Sequence, residues 1–149
     1  MKQLTLPIRF GLVTSAVLIA YFLLLSLLHK HVNPVFSFFN AVITAFGIFE
    51  AIRVYKLQYL EAFSYGEGFK TGLITGGVAT VSFTAFFLLY ASELNTDFIP
   101  QLLKTIKGGF DTNVGMVTAV VAIMGFATTV ICTLTIMQLF KKSKNIIPK

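Results

Sequence analysis

The sequence predicts an all-α fold: a bundle of four transmembrane helices, with a short amphipathic helix at the membrane surface between the third and the fourth. Hydrophobic residues make up 56% of the 149-residue chain, and charged residues only 12%. Soluble domains carry about twice that share of charged residues. So few charges cannot cover the surface of a soluble domain, and so apolar a chain does not stay disordered. The surplus of apolar side chains therefore predicts a protein embedded in lipid.

Four segments are long and apolar enough to cross a bilayer, which takes roughly 20 mostly apolar residues. The predicted spans cover residues 8–29, 34–55, 68–92 and 113–140. Together they form a single membrane domain. The first span is longer than the apolar part of a cleaved signal peptide, so we interpret it as a membrane helix. Ser64, followed three residues later by Glu67, is a helix-capping pattern that predicts the start of the third helix near Tyr65.

Residues 97–107, between the third and fourth spans, are predicted to form a shorter helix. Its apolar side chains recur at helical spacing: Phe98, Ile99, Leu102, Leu103 and Ile106. Polar residues stand between them, so one face of the helix is apolar and the other is polar. Such a helix is expected to lie on the outer membrane surface. A lid over a pore is the alternative interpretation.

The basic residues are distributed unevenly between the two sides of the membrane. With four spans, both termini lie on one side, together with the loop between the second and third spans. Nine of the twelve Lys and Arg residues fall on that side. Because loops rich in Lys and Arg stay in the cytoplasm, both termini are predicted to be cytoplasmic, in a cell's inner (cytoplasmic) membrane. The bilayer is the expected partner, and the net charge of +6 does not indicate nucleic acid binding.

The third helix carries small residues at positions four apart. This row contains Gly68, Gly72, Gly76 and Thr80. In a bilayer, small side chains let two helices approach closely, so the row predicts helix packing. The contact is either inside the bundle or between two copies of the chain. Further along the same helix, bulky residues predict a surface that faces lipid: Phe83, Phe86, Phe87, Leu88 and Leu89.

Charged groups are absent from the middle of every predicted span, which disfavours an ion pathway or a proton relay. Polar and charged residues gather instead at the predicted cytoplasmic ends of the second and third helices: Glu50, Arg53, Ser64, Glu67 and Lys70. Glu50 and Arg53 are three residues apart, which predicts an ion pair on one face of a helix. The cluster is either a set of interfacial anchors or a site for an anion or a partner.

The sequence contains no nucleophile elbow, zinc-protease helix or phosphate-binding loop. His29, His31 and the single cysteine, Cys132, do not predict a metal site, which needs three or four ligands. We therefore expect no enzymatic activity and no cofactor.

The middle of the chain resembles a known family. The resemblance rests on GIF at 47–49, Arg53, YK at 55–56 and FSYGEGFKTGL at 63–73, and the closing helix from Gly125 onward is also similar. These features resemble a bacterial family of small four-helix integral membrane proteins catalogued as a domain of unknown function. The resemblance implies the fold and the membrane setting, and it implies no particular activity.

The expected function is that of a non-enzymatic accessory or assembly protein. It would act through contacts of its helices with a membrane protein partner or with a second copy of the chain. The alternative is a small transporter or channel, which would be oligomeric because four helices enclose little space. The lack of charge inside the spans favours the accessory protein, since transport sites are usually polar.

The orientation can be tested with a reporter enzyme that is active only outside the cytoplasm. Fused after Lys149, the reporter is expected to be silent, and fused near Lys30 or Asp111 it is expected to be active, because the basic side stays inside. The amount of each fusion, measured by immunoblot, is the control. The opposite pattern of activity would reject the predicted orientation.

Overall fold

The computed structural model of the protein describes residues 2–28, 34–60, 63–94, 97–106 and 113–141, nearly all of them helical. The α-helices are α1 (Lys2–Leu27), α2 (Pro34–Gln58), α3 (Tyr65–Leu89), α4 (Phe98–Ile106) and α5 (Val114–Phe140). A π-helical turn, Tyr90–Leu94, continues α3. No strand occurs in the described residues, and α1, α2, α3 and α5 are long and apolar enough to cross a membrane. The predicted all-α bundle of four membrane helices is confirmed.

Side-chain caps fix where α3 and α5 begin. The Ser64 hydroxyl accepts a hydrogen bond from the Glu67 backbone N–H at 3.2 Å, and the Asn113 side chain accepts one from the Met116 N–H at 2.8 Å. Each cap satisfies a backbone donor that has no partner inside its own helix. The predicted start of the third helix at Tyr65 is confirmed.

Helix α3 makes the most extensive contacts of the bundle, since it packs closely against α1 and α5 and also against α2. Its small-residue row lies against α5. A Cβ atom added at Gly72 would lie 2.5 Å from Cγ2 of Thr133, and one added at Gly76 would collide with Thr129. The two backbones are therefore as close as the threonine side chains on α5 allow.

The same contact repeats at both ends of the row. A Cβ atom added at Gly125 of α5 would lie 2.6 Å from Cγ2 of Thr80, and one added at Gly68 would lie 2.8 Å from Cε of Met137. Each step of four residues along α3 is matched by a step of four residues back along α5. The two helices are therefore antiparallel and in a fixed register, and this face of α3 is covered by a helix of the same chain.

Helix α1 also packs on α3 through a glycine. A Cβ atom added at Gly11 would lie 2.7 Å from the carbonyl oxygen of Thr75. The buried Thr75 hydroxyl donates a hydrogen bond to the Pro7 carbonyl at 3.2 Å. Gly47 of α2 packs in turn on Thr14 of α1. Close contacts at glycines therefore connect all four long helices.

An aromatic cluster closes the end of the bundle at which α4 lies. The ring of Phe22 in α1 makes edge-on contacts with five others at centroid distances of 4.9–6.2 Å: Phe83, Phe86, Phe87, Tyr90 and Phe98. Ser26 and Tyr90 share a hydrogen bond of 2.6 Å beside it. Phe98 and Ile99 are buried in this end of the bundle, so the apolar face of α4 attaches to the bundle itself.

The expectation that Phe87 faces lipid is wrong. Its side chain is only 4% exposed, because it packs on the ring of Phe22. Phe83 and Phe86 are partly buried in the same cluster, whereas Leu89 is 61% exposed. A lipid tail and a neighbouring aromatic ring are both apolar surroundings, so hydropathy does not distinguish them.

Two adjacent glycines of α3 provide a matched test of the packing. Gly76→Ala is expected to destabilise the protein by about 1–3 kcal/mol, because its Cβ atom would overlap Thr129 of α5. Gly77→Ala is expected to be neutral or stabilising, because its Cβ atom would meet the Phe126 ring at an ordinary 3.9 Å and alanine favours a helix. Thermal unfolding in detergent measures both variants. Equal stabilities would contradict the close contact.

A second pair of substitutions identifies the partner helix. Gly72→Ala alone is expected to destabilise the protein, because Cγ2 and Oγ1 of Thr133 obstruct the new Cβ atom. Thr133→Ala removes both of these atoms, so the double variant is expected to unfold at a higher temperature than Gly72→Ala. If the double variant unfolded at a lower temperature than Gly72→Ala, Thr133 of α5 would not be the side chain that obstructs the new Cβ atom.

Candidate functional site

The basic end of the bundle is the end at which α1 and α3 begin and α2 and α5 finish. Six described basic residues belong to it: Lys2, Arg9, Arg53, Lys56, Lys70 and Lys141. The aromatic cluster closes the opposite end. The candidate polar site therefore lies among the helix termini of the basic end.

A partly open cavity of about 150 Å³ lies at the basic end, between α1, α2 and α3. Its lining consists of Leu4, Pro7, Tyr55, Glu67, Lys70, Thr71 and Ile74. A water molecule occupies about 30 Å³ in the liquid, so the cavity has room for roughly five waters or one small polar group. One acidic side chain, one basic side chain and two hydroxyls face this space together with apolar groups.

A hydrogen bond between α2 and α3 forms one wall of the cavity. The Tyr55 hydroxyl donates to Oε2 of Glu67 at 3.1 Å. The Tyr55 side chain is 1% exposed, and its ring packs against Tyr59 at a centroid distance of 4.8 Å and against Phe63 at 6.5 Å. This burial holds the hydroxyl in place, and the hydroxyl in turn orients the Glu67 carboxylate.

Two hydrogen-bond donors on α3 lie beside that bond. Lys70 is exposed, and it makes no ion pair with a described residue. Thr71 is 2% exposed, and its hydroxyl makes no hydrogen bond within the described ranges. By contrast, three other buried threonines donate to the backbone carbonyl four residues earlier at 2.7–2.8 Å: Thr14, Thr44 and Thr118. The Thr71 hydroxyl is thus free to bond a group in the cavity.

The structure separates the predicted polar residues into two groups. Glu67 and Lys70 line the cavity, and the capping serine begins the same helix. Glu50 and Arg53 form the expected ion pair at 3.1 Å, with the Arg53 side chain 57% exposed. Arg53 and Tyr55 are two residues apart, which places them about 200° apart around α2. The ion pair therefore faces away from the cavity.

Another basic side chain, Lys56, bridges α2 and α5 at the same end. Its ammonium lies 5.7 Å from the ring centroid of Phe63 and 5.2 Å from that of Phe140. Both distances are within the range of cation–π attraction. Lys56 therefore ties the last turn of α5 to α2.

Five residues of the cavity were not predicted from the sequence: Leu4, Pro7, Tyr55, Thr71 and Ile74. They come from three helices, and the spacing along one helix does not indicate which helices meet. Pro7 is the one of these residues that the sequence could have indicated. A proline inside a helix removes an N–H, so a backbone carbonyl of the preceding turn lacks its usual hydrogen-bond donor. His29 and His31 lie outside the described residues.

Comparison with known families identifies the chain. A family model described as protein of unknown function (DUF4199) matches residues 9–142. The chain belongs to this family. No curated protein and no solved structure matches the chain significantly. The resemblance to a family of unknown function is thus confirmed, and the DUF4199 description names no activity.

In this DUF4199 member, Tyr55→Phe tests the wall of the cavity. The substitution removes the donor to Glu67, and we expect it to destabilise the protein by about 1 kcal/mol, because water replaces part of the bond to a partly exposed carboxylate. Tyr59→Phe is the matched control, since the Tyr59 hydroxyl makes no hydrogen bond with a described residue. Chemical unfolding in detergent that gave equal losses for both would show that the hydrogen bond contributes nothing.

Proposed function

We propose that this protein is a non-enzymatic accessory or assembly protein, located in the inner (cytoplasmic) membrane with its basic end in the cytoplasm. It acts through contacts that its helices make within the bilayer, either with another membrane protein or with a second copy of itself. The observation that carries this proposal is the filled interior of the bundle.

Side chains from three helices fill the centre of the bundle. Fully buried residues there include Ile48, Ile52, Thr75, Ala79, Thr133 and Met137. The contacts of Gly72 and Gly76 leave no space for a solute between α3 and α5. This packing supports a protein that works by its outer surface rather than by a path through a single chain.

The outer faces of the long helices present many exposed apolar side chains. On α5 the exposed side chains include Met116, Val120, Ile123, Val130 and Leu134. In hydrocarbon, such residues gain nothing by exchanging a lipid tail for a partner, so any association depends on shape and on close packing. Exposed apolar side chains of this kind are compatible with a partner helix as well as with lipid.

The competing function is that of a small oligomeric transporter or channel. Its path would have to run between chains, because buried side chains fill the centre of the bundle in the part of the chain that the structure describes. A flux measurement therefore distinguishes the two functions.

Purified protein in liposomes is expected to give no flux of ions or small solutes above that of protein-free liposomes. Tagged protein extracted in a mild detergent is expected to retain one membrane protein, or a second copy, in fixed stoichiometry. Ile123→Trp on α5 and Val13→Trp on α1 change two exposed faces, and one of them should reduce this retention without lowering thermal stability. Flux that rises with the amount of protein, or a solitary monomer, would contradict the proposal.

A further inference from the structure

The helix contacts indicate which residues share a level in the bundle. Arg9 lies between Pro7 and Gly11 of α1, and both of these residues contact Thr75 of α3. An arginine is strongly disfavoured in the hydrocarbon of a bilayer, and Arg9 is exposed on the outside of the bundle. The Arg9 guanidinium therefore reaches the headgroup layer, and the border of the hydrocarbon region lies near Arg9.

The length of α1 agrees with this boundary. Residues 10–28 extend about 28 Å at the rise of an α-helix. The hydrocarbon core of a typical bilayer is about 30 Å thick. The part of α3 on the basic side of Thr75 then projects into the headgroup layer, and the cavity is in that part. Whatever enters the cavity comes from the headgroups or from the water next to them.

The cavity presents charges of both signs. Glu67 and Lys70 are three residues apart on α3 and are neighbours on one face, yet no ion pair joins these two described side chains. Glu67 would repel a simple anion, and Lys70 would repel a simple cation. A ligand that carries an anionic and a cationic group satisfies both side chains.

The Thr71 hydroxyl independently points to a ligand. Although the Thr71 residue is only 2% exposed, its Oγ1 atom opens on the cavity, since the described oxygens that are both buried and unpartnered are Asn40 Oδ1, Thr84 Oγ1 and Thr133 Oγ1. The Glu67 carbonyl, four residues earlier, is the usual acceptor for a helix threonine. Thr71 does not use it, so the hydroxyl is left to donate to an oxygen atom in the cavity that it lines.

We propose that the cavity binds a phosphoethanolamine group, presented as the headgroup of a lipid. The phosphate is bound by the Lys70 ammonium and the Thr71 hydroxyl, and the ligand's ammonium is bound by the Glu67 carboxylate. The lipid chains leave the cavity past Ile74, the lining residue next to Thr75 and thus close to the hydrocarbon. The site goes beyond the proposed function, since it would exist with or without a protein partner.

The test is a calorimetric titration of purified protein in detergent with short-chain dihexanoylphosphatidylethanolamine. Dihexanoylphosphatidylcholine is one comparator, because its ammonium is fully methylated and has no N–H to donate. Dihexanoylphosphatidylglycerol is the other, because it has the phosphate and no ammonium. The ethanolamine lipid is expected to bind about tenfold or more tightly than either comparator. Equal binding of the three lipids would overturn the proposal.

Two variants connect this binding to the cavity. Thr71→Val is expected to weaken binding about three- to tenfold without lowering the stability of the free protein, because the hydroxyl has no partner there. Glu67→Gln keeps an acceptor for Tyr55 and removes the charge, and it is expected to weaken binding about tenfold. Arg53→Gln, on the far face of α2, is the control and should bind as the wild type does. Unchanged affinity in both cavity variants would overturn the site.

Free phosphoethanolamine distinguishes the two sources of the group. If it binds much more weakly than the short-chain lipid, the lipid is the ligand. If it binds as tightly, the lipid assignment is overturned and a soluble zwitterion occupies the cavity.

Discussion

The close approach of α3 and α5 determines the position of the other helices. At Gly72 and Gly76 the α3 backbone meets threonine side chains of α5, where a larger residue would push the helices apart. Apolar side chains gain nothing by leaving lipid, so association in a bilayer depends on this match of shape. Because the contacts recur every four residues, they fix the rotation, the depth and the register of α5 together. Helices α1 and α2 then pack on the remaining faces of α3.

Side-chain volume, more than hydrogen bonding, connects these helices. Thr129 fills the space opposite a glycine, while its hydroxyl donates to the Gly125 carbonyl of its own helix at 2.9 Å. The Thr133 hydroxyl oxygen is buried with no partner among the described residues, although its methyl group packs on α3. Two hydrogen bonds do cross between helices: Thr75 donates to the Pro7 carbonyl of α1, and the Thr80 and Thr129 hydroxyls share a bond of 3.4 Å between α3 and α5. Threonine therefore suits this bundle because it adds volume while its hydroxyl can be satisfied by its own helix.

The number of membrane helices could be predicted because the length of a membrane span is a property of one segment. The partner of the glycine row could not, although Gly125, Thr129 and Thr133 repeat the same spacing of four in the last helix. Two matching rows do not reveal whether they meet within one chain. The candidate site was predicted only in part, because one segment does not reveal which helices meet. The charged residues of α3 were predicted and line the cavity, whereas the position of Tyr55 beside them depends on how α2 packs against α3. Phe87 was misplaced because hydropathy does not distinguish lipid from a neighbouring ring.

The difference between the two ends of the bundle follows from helix length. Helix α5 has 27 residues and extends about 40 Å, roughly 10 Å more than the hydrocarbon is thick. The charged residues of α2 and α3 belong to the basic end, so the surplus length projects on that side. There the helices leave the hydrocarbon while they are still packed together, since Gly68 contacts Met137 close to the start of α3. The polar cavity is therefore built from helix ends in a fixed register rather than from loops, and a group that binds there meets side chains that are already in place.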